Sequence, residues 1–78
     1  MSDIRKEKIF KIIATIMRYE QSSINEATTA KDIPGWDSLK HMRLIMALEK
    51  EFGIKFKTSQ IAAMQNVGEI INAVREQD

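Results

Sequence analysis

The sequence predicts an all-α fold: a small antiparallel bundle of three main helices and one short helix, with a long first loop. Three observations carry that expectation. Apolar residues recur at i, i+3, i+4 and i+7 near both ends, as Ile9, Ile12, Ile13, Ile16 and as Val67, Ile70, Ile71, Val74. A middle segment from Ser38 to Phe52 is apolar on one side and is followed by Gly53, a natural helix terminator. No stretch alternates long enough to commit to a strand, residues 54–57 being the nearest approach. A chain of 78 residues then forms one domain, 1–78, near the size at which a single core just suffices.

The first helix covers the Ile9 to Ile16 stripe, widened by Phe10 and Met17, with Ser2 or Asp3 as its cap and an end near Tyr19 or Glu20. Residues 21–37 hold no lasting period and are rich in Ser, Thr, Asn and Asp. Such a long connection is commonly functional or pinned by its own apolar residues, here Ile24, Ala27, Ile33 and Trp36. Pro34-Gly35 suits the central pair of a type II turn. The second helix runs from Ser38 to Phe52, with Gly53 as its left-handed cap. Thr58 or Ser59 offers a cap for a short helix through about Met64. Asn66 and Glu69 have capping-box spacing ahead of the last helix, about 67–76. The core expected from these elements is Ile13, Ile16, Leu44, Ile45, Leu48, Phe52, Ile54, Ile70, Ile71 and Val74.

Composition removes several function classes. There is no cysteine and one histidine, His41, so no metal site is expected. Twelve basic against eleven acidic residues give a net charge of +1, without the basic stripe of a nucleic-acid binder. No apolar run approaches the roughly 20 residues needed to span a bilayer, and the N-terminus lacks a signal-peptide core. These features predict a cytoplasmic, soluble monomer without stable membrane insertion.

The second helix carries two apolar faces. At about 100° per residue, Leu44, Ile45, Leu48 and Phe52 gather at roughly 140° to 240° from Leu39. Leu39, Met42 and Met46 lie on nearly the opposite side, at roughly 300° to 360°. A bundle helix needs one buried stripe, so the second face reads as a docking strip, for which adaptable methionine is apt. Lys40, Arg43 and Lys50 lie on or beside it, so a partner should offer acid or phosphate with its apolar groove. His41, at about 200°, falls on the core side, either as a structural histidine bonded to loop backbone or at the mouth of a cavity.

Asp37 is the better N-cap of this helix, which leaves Ser38 at the first full position with its hydroxyl free. A phosphate on that oxygen would meet the positive end of the helix dipole and unpaired backbone N–H groups. The site therefore suits a phosphodiester-linked group. A second cap is the plain alternative.

Residues 35–56, GWDSLKHMRLIMALEKEFGIKF, resemble the phosphopantetheine-attachment region of acyl carrier proteins. Asp37-Ser38-Leu39 matches the family's Asp-Ser-Leu motif, and Leu44 to Glu49 with Glu51-Phe52 match its next turns. The resemblance extends over the whole chain in length, helix order and long first loop. It implies a non-enzymatic acyl carrier: Ser38 receives 4′-phosphopantetheine from coenzyme A through a phosphopantetheinyl transferase, and the arm's thiol holds cargo as a thioester. By the same carry-over Asp37 orients the serine in the transferase, while Leu39, Lys40, Met42, Arg43 and Met46 meet the loading and transferring enzymes. An acyl cavity, if present, would be lined by His41, Ile45, Leu48, Phe52 and Ile70. Family carriers for fatty acids usually place acids along this helix, where this chain has Lys40, His41, Met42 and Arg43. That departure points to a dedicated pathway rather than the housekeeping synthase.

Other classes fit less well. A hydrolase with a Gly-Asp-Ser-Leu block is opposed by Trp36, which splits Gly35 from Asp37, and by the single histidine on the same helix. An aminoacyl or peptidyl carrier, or a helical partner-binding module without a prosthetic group, uses every feature but the serine equally well.

Overall fold

A computed structural model of the chain describes residues 4–77. It contains four α-helices in the order α1 (Ile4–Met17), α2 (Ser38–Phe52), α3 (Thr58–Ala62) and α4 (Val67–Arg75), with a single 3₁₀ turn at Gln21–Ser23. No strand is formed among the described residues; the nearest is an isolated bridge between Thr29 and Asn66. Lys8 near the start of α1 pairs with Glu51 near the end of α2 at 3.4 Å, so these two helices run antiparallel.

α1 stops earlier than its apolar pattern suggests. Arg18 turns to a left-handed φ of 52°, and the Tyr19 N–H reaches back to the Ala14 carbonyl at 3.0 Å. This closure caps the last turn and packs Tyr19 on the core instead of extending the helix. The caps expected at Ser2 and Asp3 lie outside the described residues.

The long loop is pinned by Ile24, Ile33 and half-buried Trp36, but Ala27 is exposed. The physical reason is the Asn25 side chain, whose Oδ1 accepts from the Ala27 N–H at 2.8 Å and turns the segment. Thr28 points inward in its place, and its Oγ1 accepts from the Asn25 N–H at 2.9 Å. The loop is then stitched to the start of α4. Val67 N–H donates to the Thr28 carbonyl at 2.9 Å and Gly68 N–H to the Glu26 carbonyl at 2.8 Å. Two of the orphan donors of α4 are satisfied by the loop, and the Asn66 side chain accepts a third from Glu69 at 2.9 Å. The approach is so close that a Cβ on Gly68 would lie 3.1 Å from the Glu26 carbonyl oxygen.

α3 is shorter than expected, and its cap is Lys57, ahead of the expected Thr58 or Ser59. Its start is set by Gln60, whose Oε1 accepts from the Lys57 N–H at 2.9 Å. Gln60 also bonds Glu76 and Gln77 after α4, tying the short helix down. The core gathers Ile9 and Ile13 of α1, Leu44, Ile45 and Leu48 of α2, and Val67, Ile70, Ile71 and Val74 of α4. Ile16, Phe52 and Ile54, expected inside, are half-buried at its edge, and the loop residue Ile33 occupies the interior. Among the described residues no helix is long and apolar enough to cross a membrane.

Candidate functional site

The segment leading into α2 is a sequence of local commitments. Gly35 adopts φ +86° and the Trp36 N–H bonds the Ile33 carbonyl at 3.3 Å, which closes a type II turn over Pro34-Gly35. The turn delivers Asp37 in extended conformation, where its carboxylate accepts from the Lys40 N–H at 2.8 Å. The Asp37 carbonyl accepts the first helical bond, from His41 N–H at 2.8 Å. Ser38 is therefore the first residue of α2, exposed, and its hydroxyl takes no partner among the described residues. With Asp37 engaged on Lys40, the N–H groups of Ser38 and Leu39 remain open at the positive end of the helix dipole. These groups fit a phosphate ester on Ser38: the oxygen is accessible and the donors that would face the phosphate are unspent.

Beside Ser38 lies a shallow cavity of ≈ 480 Å³ lined by Ala30, Trp36, Asp37, Ser38, His41, Met42 and Met64. Its aromatic wall is a bonded pair. The Trp36 indole N–H donates to His41 Nδ1 at 3.2 Å, and the rings are stacked with centroids 6.0 Å apart. Burial pushes the His41 pKa below its usual value of 6.5, more than a backbone hydrogen bond with Ile61 raises it. With Nδ1 taken by Trp36, Nε2 is the nitrogen left to donate. His41 thus bonds the Trp36 side chain rather than loop backbone, and it lines the cavity beside Ser38.

The sequence could not bring Ala30 and Met64 to this wall, because both arrive by tertiary packing. The candidate cavity residues separate. His41 lines the cavity at Ser38, whereas Ile45, Leu48 and Ile70 are 2, 0 and 1 % exposed inside the core and Phe52 packs at its edge. The strip on the other face is open: Leu39, Met42 and Met46 are 61, 46 and 58 % exposed. Exposed Arg43 and half-buried Lys40 border it, and neither forms an ion pair among the described residues. The nearby acids are engaged elsewhere, Glu49 with the Phe56 N–H at 2.9 Å and Glu51 with Lys8.

The model of the phosphopantetheine attachment site family matches residues 7–74. The fold is also similar to the solution NMR structure of the holo acyl carrier protein from Geobacter metallireducens, at TM-score 0.83 and 30 % identity. That match covers 92 % of this chain and 83 % of the other. An unspent serine hydroxyl opening a capped helix, in a bundle of this order, accords with both likenesses: the chain belongs to the acyl carrier protein family, as a carrier with covalently attached 4′-phosphopantetheine.

Proposed function

We propose that Ser38 is the residue that bears 4′-phosphopantetheine, and that the chain shuttles acyl groups between enzymes of a dedicated biosynthetic pathway in the cytoplasm without catalysing their chemistry. The observation that carries this reading is the exposed, unpartnered Ser38 hydroxyl at the first position of α2. Asp37 fixes that position by capping α2, and the open N–H groups beside it favour a phosphate. When bound, the group supplies a flexible arm whose terminal thiol holds cargo as a thioester. The chain has no cysteine, so that thiol has no rival within it.

Partner choice rests on α2. Leu39, Met42 and Met46 offer an apolar strip, and Lys40 and Arg43, neither in an ion pair among the described residues, set positive charge beside it. Such a surface favours acidic partner enzymes and disfavours those built to receive an acidic carrier, which is why we assign a dedicated pathway over the general fatty-acid synthase.

The test is intact mass after incubation with coenzyme A and a broad-specificity phosphopantetheinyl transferase, beside a competent control carrier. Wild type gains one arm and Ser38→Ala gains none. A wild-type chain left unmodified while the control is loaded would overturn the assignment.

A further inference from the structure

Another depression, of ≈ 380 Å³, lies between α1 and α2 and shares no residue with the cavity beside Ser38. Its floor is apolar: Ile12 and Ile16 of α1 with Ala47 of α2, all half-buried, the two isoleucines packed on the core from outside. Ala47 contributes only a methyl group, which keeps the trough open on its α2 side. Thr15 stands at the edge, but its hydroxyl already donates to the Lys11 carbonyl at 2.9 Å. Apolar carbon left half in water in this way gains when something apolar covers it.

The rim is positive. Lys8 and Glu51 pair across one end of the trough at 3.4 Å and offset each other, and Glu51 is the only acid in its lining. Lys11 stands exposed on the α1 side. On α2, exposed Arg43 and Lys50 stand one turn before and one turn after Ala47. None of these three forms an ion pair among the described residues. Glu7, a turn before Lys11, lies farther round α1 from Ile12 than Lys11 does. Three like charges around an apolar floor favour an occupant that is apolar on one side and acidic at its flanks.

A helix meets that description and the shape of the trough. From Lys8 to Ile16, α1 rises about 12 Å at roughly 1.5 Å per residue, the length of about two turns of a partner helix. Apolar residues at i, i+4 and i+7 of the partner would reach Ile12, Ile16 and Ala47, while its flanking acids would meet Lys11, Arg43 and Lys50. An anionic membrane fits less well, because a flat surface meets exposed Lys11 before it meets the recessed isoleucines. A second copy also fits less well. Its exposed strip of Leu39, Met42 and Met46 is bordered by Lys40 and Arg43, so like charges would meet.

We propose that the trough floored by Ile12, Ile16 and Ala47 is a docking groove for an acidic amphipathic helix of a partner protein, separate from the strip on α2. The groove needs no arm on Ser38, so its test is independent of the carrier assignment. A helix held there leaves Ser38 and the cavity beside it uncovered. The chain can then stay tethered to one protein while Ser38 faces another.

The experiment titrates the full ¹⁵N-labelled chain with a synthetic helical peptide of about four turns, leucine along one face and glutamate on both flanks. At low ionic strength the amide signals of Ile12, Thr15, Ile16 and Ala47 should shift saturably, while those of Leu39 and Met42 stay in place. The same peptide with lysine for glutamate should not bind. Lys11→Glu should weaken the acidic peptide roughly fivefold at low salt. Ala47→Gln, which fills the floor, should weaken it at low and high salt alike, with helical circular dichroism unchanged in both variants. Shifts centred on Leu39, Met42 and Met46, no saturable shift, or equal binding of both peptides would overturn the groove. Ala47→Gln binding as tightly as wild type would show that charge acts alone and that the trough is not the seat. Trough signals that move when the chain alone is concentrated would assign the face to a second copy instead. Phosphatidylglycerol vesicles that bind wild type but not Lys11→Glu, with the acidic peptide inert, would assign it to a membrane.

Discussion

The indole N–H of Trp36 donates to Nδ1 of His41 at 3.2 Å, and this one bond fixes the tautomer of the chain's only histidine. A neutral imidazole has one donor and one acceptor nitrogen, so an indole on Nδ1 leaves the proton on Nε2. Residue 36 closes the turn that aims the serine, and residue 41 lies one turn into the helix that carries it. The bond therefore braces the Asp37-Ser38 segment from both sides.

Asp37 caps α2, and the function proposed above gives it a second, separable task in recognition by the transferase. Asparagine caps about as well as aspartate, whereas alanine costs about 1 kcal/mol. Asp37→Asn should leave the thermal midpoint near that of wild type, and Asp37→Ala should lower it. If the carboxylate also orients Ser38 for the transferase, both variants load slowly, read as the rate of mass gain. Normal loading of Asp37→Asn would limit the residue to its cap.

The partner-selecting role proposed for the positive edge beside Leu39, Met42 and Met46 is testable by reversal. Replacing Lys40 and Arg43 with glutamate changes the local charge from two positive to two negative without touching the core, since Arg43 is exposed and Lys40 half-buried. Association with an acidic partner enzyme should slow, most of all at low ionic strength where screening is weak. Unaltered association rates at low salt would remove charge from the recognition.

Much of this architecture is legible in the sequence where signals are local. Asp37 and Gly53 bound α2 because a cap acts on its own helix end, and the period of Val67, Ile70, Ile71 and Val74 needs no partner to be seen. The exposed strip of Leu39, Met42 and Met46 follows from the same reasoning about faces. What stays hidden depends on contacts across the chain. Ala27 faces solvent because Asn25 turns the loop, and Arg18 ends α1 so that Tyr19 can pack. The wall beside Ser38 needs Met64, twenty-six residues away in the chain, which no spacing rule connects to it.

Gly68 is another residue whose role appears only in three dimensions. Inside a helix, alanine is favoured over glycine by about 1 kcal/mol, so propensity alone predicts that Gly68→Ala stabilises. Against this, the new Cβ would lie 3.1 Å from the Glu26 carbonyl oxygen and 3.2 Å from Asn66 Oδ1. Both oxygens already accept bonds at the start of α4, from Gly68 and Glu69. Moving them weakens two hydrogen bonds worth about 1 kcal/mol each, and the net effect should be a lower thermal midpoint. A midpoint above wild type would mean that the loop yields freely.

The tautomer of His41 gives the protein an acid-side weakness of its own. Burial holds the folded pKa below the usual 6.5, so as pH falls the unfolded chain binds a proton before the folded one does. The contribution of the neutral ring is therefore complete above about pH 6.5 and is lost as pH falls through the lower folded value. Once the ring is protonated, Nδ1 bears a hydrogen and can no longer accept from the Trp36 indole. His41→Gln removes the titration while keeping a polar side chain. Urea midpoints of wild type and variant, taken at intervals from about pH 8 to about pH 5, isolate this one group because the carboxylates titrate in both. The wild-type advantage should shrink on the acid side of about pH 6.5. A difference that stays constant over the range, or one that grows toward acid, would show that His41 is not held neutral by its burial.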